Sequence, residues 1–193
     1  MNVLIISGSS RTDNNTLRLA KAIQHICSAD HSCTLVDFVQ YDLNFFNKSN
    51  LHPSSLSSFQ QNMLGAWEKA DLVFILSPEY NWFPSAELVN LIHQIGNNNF
   101  AHLFDNKTFA FGGVSSGRGG RLPALQLSSI IEKLISFLDK SSIVSPKKFE
   151  SHYTPDELTH DGHYTSDNRY KSTLENFVEY NLKLSERFRT GSK

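Results

Sequence analysis

Three segments of this 193-residue chain gather side chains suited to binding a polar, planar molecule. The first is Gly8-Ser9-Ser10-Arg11-Thr12-Asp13-Asn14-Asn15-Thr16, which sets hydroxyls, amides and a guanidinium just ahead of an apolar periodic stretch. The free N–H groups and dipole at a helix start attract an anion such as a phosphate monoester, and an arginine adds a planar charged fork. A capped helix with a polar lead-in explains the same residues about as well. The segment lacks the Gly-Lys-Ser/Thr ending of a P-loop and the spacing of a dinucleotide loop. The second segment, Ser77-Pro78-Glu79-Tyr80-Asn81, follows five consecutive apolar residues and offers a phenol, an acid and an amide to a planar ligand with polar edges. Trp82 and Phe83, next in line, fit a subunit contact better than a ligand. The third segment, Gly112-Gly113-Val114-Ser115-Ser116-Gly117-Arg118-Gly119-Gly120-Arg121, lets backbone approach a ligand closely, although a flexible surface turn has the same composition. The 8 histidines are scattered outside these segments, so no acid–base residue is assigned. His160, Asp161 and His163 are too sparse for a metal site.

The elements that must carry these segments alternate along the chain. Strands are expected at Val3–Ile6, Thr34–Phe38, Leu72–Leu76, Thr108–Val114 and Ser142–Val144. Leu72-Val73-Phe74-Ile75-Leu76 reads as a strand buried on both faces, stopped by Pro78. Between the strands lie helical patterns: one capped by Thr16 and carrying Leu17, Ala20, Ile23 and Cys27, others marked by Met63 and Trp67, by Leu88, Leu91, Ile92 and Ile95, and by Leu127, Ile131 and Leu138. A last helix spans about residues 166–188, after an irregular stretch in which Asp161-Gly162 marks a tight turn or small hairpin. Such alternation implies right-handed βαβ crossovers and an α/β three-layer sandwich around a five-stranded parallel sheet. The flavodoxin-like strand order 2-1-3-4-5 is the natural solution, and it sets the ends of strands 1, 3 and 4 side by side. A single domain is expected over residues 1–189, with a disordered tail at 190–193.

Bulk properties exclude several classes. With 39% apolar residues the chain can build a core without disulfides. The 18 basic and 19 acidic residues nearly cancel, which argues against a general nucleic-acid or membrane-surface binder. No apolar run is long enough to span a membrane, and the first residues lead straight into a strand without the pattern of a signal peptide. Cys27 and Cys33 are expected as reduced thiols in a cytoplasmic protein.

Taken in order, Gly8-Ser9-x-Arg11, then Ser77-Pro78-Glu79-Tyr80-Asn81 with Pro84 shortly after, then Phe111-Gly112-Gly113 with Ser115, Gly117 and Gly120, resemble the NADPH-dependent FMN reductase family over about residues 1–140. The resemblance implies a flavodoxin-like fold, bound FMN, NADPH or NADH as electron donor, a small-molecule electron acceptor, and a homodimer or dimer of dimers. By the same resemblance Ser9, Arg11, Asn15 and Thr16 would hold the FMN phosphate, with Asn14 standing where the family often has serine. Pro78, Glu79, Tyr80 and Asn81 would line the isoalloxazine ring, and Ser115, Ser116, Gly117 and Gly120 would close its other side. One segment departs from the pattern. The family commonly continues Glu-Tyr-Asn-Gly-Ser-x-Pro-Gly and then Leu-Lys-Asn, whereas this chain reads Trp82-Phe83-Pro84-Ser85, one residue shorter, and then Leu88-Val89-Asn90. A non-catalytic electron carrier and a flavin-binding interaction protein are the alternative readings.

Overall fold

The computed structural model describes residues 1–191. Its sheet is parallel, with the strands β1 (Asn2–Ser7), β2 (Ser32–Asp37), β3 (Leu72–Pro78), β4 (Thr108–Val114) and β5 (Ile143–Val144) in the order β2-β1-β3-β4-β5. This is the expected topology, with one addition. The fifth position is split: β5 pairs only with Thr108 and Phe109, and β6 (Phe149–Ser151) continues alongside Gly112 to Val114. Pro146 lies between the two pieces, and a proline cannot donate to the ladder.

The helices pack on both faces. One face carries α2 (Ser58–Lys69), α3 (Ala86–Ile95) and α4 (Arg121–Phe137), and the other carries α1 (Asn15–Cys27) and α6 (Arg169–Gly191). Alternation along β3 divides its side chains between the two cores: Val73 and Ile75 face one, Leu72, Phe74 and Leu76 the other. Within the first core Trp67 is fully buried, and its indole N–H donates to the Leu103 carbonyl at 2.8 Å. No helix among the described residues is long and apolar enough to cross a membrane.

Several boundaries differ from the expected ones for local reasons. Asn14, not Thr16, caps α1: its Oδ1 accepts from the Leu17 N–H at 2.7 Å, and Thr16 lies inside the first turn. The stretch before α6 holds the short helix α5 (Thr154–Glu157) and the expected small hairpin, in which Leu158 pairs with Tyr164. Gly162 turns it with φ 79°, and a Cβ there would lie 2.6 Å from the Ala22 amide nitrogen, so the hairpin presses directly on α1. Helix α6 runs through Thr190 and Gly191, two residues of the expected disordered tail; Ser192 and Lys193 lie outside the described residues.

Partly buried phenols give the fold a pH signature. Burial pushes the Tyr41 and Tyr164 hydroxyls up to about 12, and it also raises Tyr170 and the Cys27 thiol. A group whose folded pKa exceeds its unfolded value contributes stability that is complete below the unfolded pKa and is lost as pH climbs through the folded one. The buried Lys107 and half-buried Lys148 ammonium groups, lowered by burial, act in the opposite sense, but their effect is complete by 10.5. The melting temperature should therefore fall as pH rises from 10.5 towards 12. It should fall less steeply in Tyr170→Phe, although that variant also loses the hydrogen bond to Ser151. A flat thermal-unfolding profile across this range would contradict the assignment.

Candidate functional site

The three loops start at one level because the strands are in register. Ser7 of β1 lies opposite Leu76 of β3, and Leu76 opposite Gly112 of β4. In a parallel open sheet this carboxyl edge is where ligands bind. A cleft of about 230 Å³ opens there between the loops. Ser9, Arg11, Asn14, Asn15, Thr16, Pro78, Glu79, Tyr80, Ser115 and Ser116 line it, together with Asp13 and Val114. A larger hollow of about 560 Å³ between β2 and α2 is lined by no residue of the three loops.

At one end the cleft is built for an anion. The first amides of a helix have no partner within it, and Asn14 occupies only that of Leu17, so those of Asn15 and Thr16 remain. Arg11 is exposed and forms no ion pair among the described residues; its guanidinium rests 4.4 Å from the centre of the Tyr80 ring. Asp13, the acid nearest in sequence, is turned to other partners: His160 Nδ1 at 2.8 Å and an Arg18 nitrogen at 3.6 Å. The loop itself is fixed by close packing. A Cβ on Gly8 would come within 2.7 Å of the Leu76 carbonyl oxygen, and the Ser85 hydroxyl, at the start of α3, donates to the Gly8 carbonyl at 2.5 Å.

The second and third loops are latched together. The Glu79 amide donates to the Val114 carbonyl at 2.9 Å, and its carboxylate accepts from the Gly120 N–H at 2.5 Å. The neighbouring Gly119 N–H donates to His152 Nδ1 at 3.1 Å, which requires that ring nitrogen to be unprotonated. Glycine is required at 113, where a Cβ would lie 1.7 Å from the Gly120 carbonyl oxygen; one on Gly119 would lie 2.6 Å from Glu79 Oε1 and push that side chain aside. Tyr80 ties the second loop to the first, since its hydroxyl and that of Ser9 are 3.1 Å apart.

Three expected site residues are placed otherwise. Asn81 is exposed at a turn with φ 50° and does not line the cleft. Gly117 and Gly120 act through backbone, the first accepting from the Tyr153 amide at 3.1 Å and the second held by Glu79. Three contributors were not expected, Val114 at the end of β4 being one of them. Asp13 lies within the first loop but carried no distinguishing spacing, and His152 lies 31 residues past the third loop's Arg121, with no local motif to announce it. Among the described residues no group of three or more histidine, cysteine or acidic side chains is placed to hold a metal ion.

The family model for NADPH-dependent FMN reductase matches residues 1–146. The chain belongs to this family. FMN-dependent NAD(P)H oxidoreduction is the activity class that goes with membership. No curated protein matches the chain. Among solved structures it is similar to FerB, a flavoenzyme NAD(P)H:(acceptor) oxidoreductase from Paracoccus denitrificans, with TM-score 0.74 and 18% identity over 96% of this chain and 97% of that one. The apo form of the NADH:FMN oxidoreductase EMOB aligns with TM-score 0.62 and 17% identity over 94% and 88% of the two chains. A flavodoxin from the domain Archaea aligns with TM-score 0.57 and 11% identity over 98% and 99%. At these identities the structural likenesses establish the flavodoxin-like fold.

The latch can be tested without any ligand. Glu79→Ala should leave the fold intact and speed hydrogen exchange at the Gly120 amide by at least an order of magnitude, corresponding to loss of a charge-assisted hydrogen bond of about 1.5–3 kcal/mol. Glu79→Gln, which keeps an acceptor, should restore part of the protection. Unchanged exchange in the alanine variant would show that the loop holds itself.

Proposed function

We propose that the chain binds FMN in this cleft and uses NADPH or NADH to reduce a small acceptor of the quinone, azo, nitro, metal-oxyanion or flavin type. The observation that carries the reading is the junction of two environments. An unpaired guanidinium and a helix N-terminus stand at one end, and two backbone-lined loops face each other at the other. The residues present fit the cofactor. Arg11, Ser9, Thr16 and the amides of Asn15 and Thr16 would hold the phosphate, with Asn14 keeping α1 capped behind them. Pro78, Glu79 and Tyr80 would line one side of the isoalloxazine ring, and Ser115 and Ser116 the other. Asn81, Gly117 and Gly120 would shape that space through their backbone.

When bound, FMN supplies the hydride-accepting and electron-delivering chemistry, and the protein supplies position and electrostatics. Pro78 is buried at the end of β3 and stiffens the loop that faces the ring. The Glu79 carboxylate accepts from the third loop at Gly120, so it clamps the two loops together. The free thiols Cys27 and Cys33 suit a reducing cytoplasmic setting.

A homodimer completes the reading. Phe45, Phe46 and Phe83 are 68%, 46% and 64% exposed. Phe45 and Phe46 border an apolar hollow of about 420 Å³ together with Val89 and Ala86 of α3. Isologous pairing through such a surface is the commonest solution among soluble oligomers, and a dimer of dimers extends it.

Anaerobic mixing of the FMN-loaded protein with NADPH or NADH tests the activity. Bleaching of the flavin band and its return on adding a quinone are expected. FMN binding without bleaching by either nicotinamide would favour the electron-carrier reading. Arg11→Ala should lower FMN affinity by about 1.5–3 kcal/mol, the worth of a hydrogen bond to a charged group, measured by fluorescence quenching. Sedimentation of the FMN-loaded protein as a monomer at micromolar concentration would count against the dimer.

A further inference from the structure

Beyond Tyr80 the chain makes a turn that costs more than it needs to. Tyr80 and Phe83 form an isolated antiparallel bridge in which each amide donates to the other's carbonyl, at 3.0 and 3.1 Å. The two residues between them, Asn81 and Trp82, both have left-handed backbone, with φ of 50° and 69°. A two-residue turn with positive φ at both central positions is of type I′, for which Asn-Gly is the favoured pair. Asn81 suits the first position. Trp82 occupies the second, where glycine would be unstrained and a Cβ is disfavoured.

No hydrogen bond or ring contact of the Trp82 side chain among the described residues compensates for that strain. The side chain is 66% exposed. Strain held at a residue whose side chain gains no such contact within its own chain points to a role outside it. The place of the turn says which. It begins at Tyr80, which lines the cleft, meets Ser9 through its hydroxyl and carries the Arg11 guanidinium on its ring. The exposed indole thus sits two residues beyond a cleft-lining residue, on a two-residue turn whose ends are pinned by the paired amides of Tyr80 and Phe83. A large exposed ring carried on a pinned turn next to a cleft residue offers a stacking surface to a planar partner. A subunit contact needs no such strain, since Phe83 offers an equally exposed aromatic ring at a position without positive φ.

Resting on the oxidoreductase reading above, we propose that Trp82 is a specificity-determining residue whose indole stacks on the planar ring of the electron-accepting substrate. Its contribution is one of binding: planar aromatic acceptors are favoured over compact ones that present no ring.

Trp82→Gly tests this. With FMN-loaded enzyme and saturating NADPH or NADH, kcat/KM is measured for menadione, a planar naphthoquinone, and for ferricyanide, which has no ring to stack. The ratio of the two should fall about fivefold, as expected for loss of one aromatic stacking contact. The change should lie in KM for menadione. Trp82→Phe, which keeps a ring, should restore the ratio to within about twofold of wild type on the same stacking scale. Glycine also removes the strained Cβ, so the melting temperature of Trp82→Gly should rise by about 2–4 °C. A ratio that stays at the wild-type value would overturn the proposal, including the case in which the variant is monomeric and all acceptors slow alike. So would a fall in melting temperature, which would show that the indole is held by the fold or by a second subunit. Wild-type protein that fails to bind FMN or to oxidise either nicotinamide removes the oxidoreductase reading itself; normal wild-type turnover with an unchanged ratio removes only the assignment to Trp82.

Discussion

The cleft exists because β3 is hydrogen-bonded along both edges at once. It pairs with β1 from Leu72 to Leu76 and with β4 from Leu72 to Pro78, and every one of its seven residues is buried. Such a strand has no freedom to slide: a shift of one residue would exchange Val73 and Ile75 for Leu72, Phe74 and Leu76 between the two cores. Register fixed in this way brings Ser7, Leu76 and Gly112 to one level, and from there three loops leave the sheet together. The split at Pro146 belongs to the same edge. It moves β6 against the far end of β4 and so brings His152 up to the Gly119 amide.

Above that edge the loops hold one another more than they reach outward. Tyr80 meets Ser9, Glu79 takes the Gly120 amide, and His152 takes that of Gly119. Close backbone contact between Gly113 and Gly120 leaves no room for side chains between the strand end and the returning loop. What remains unspent is concentrated at the anion end, where Arg11 has no acidic partner among the described residues and the first amides of α1 are open. A cleft that is preorganised at its planar end and charged at the other can bind without first rearranging, and this lowers the entropic penalty of binding.

Most of this arrangement was legible in the sequence, for identifiable reasons. The apolar run at Leu72–Leu76 has no amphipathic alternation, so it had to be a strand covered on both faces, and its position among alternating helices gave the topology. The three loops stood out because their residue types differ from the flanking elements. Less legible were contacts between residues distant in the chain. The division of labour between Glu79 and the glycines of the third loop depends on a separation of about 40 residues that no local pattern encodes. β6 is three residues long and follows a proline, which leaves no periodic signal. The cap of α1 fell to Asn14 because two amides precede Thr16, and which side chain turns back on the helix is settled by packing around the loop. The turn at Asn81 and Trp82 escaped notice because tryptophan is not a turn residue by composition.

The central claim is that the charged end of the cleft recognises the phosphate of FMN. Titration of the apoprotein with FMN and with riboflavin, followed by quenching of flavin fluorescence, tests it most directly. The account predicts that riboflavin, which has the same ring without the phosphate, binds at least about tenfold more weakly, since charge-assisted contacts are each worth 1.5–3 kcal/mol. Raising the salt concentration should weaken FMN binding more than riboflavin binding. Equal affinity for the two flavins would contradict the account.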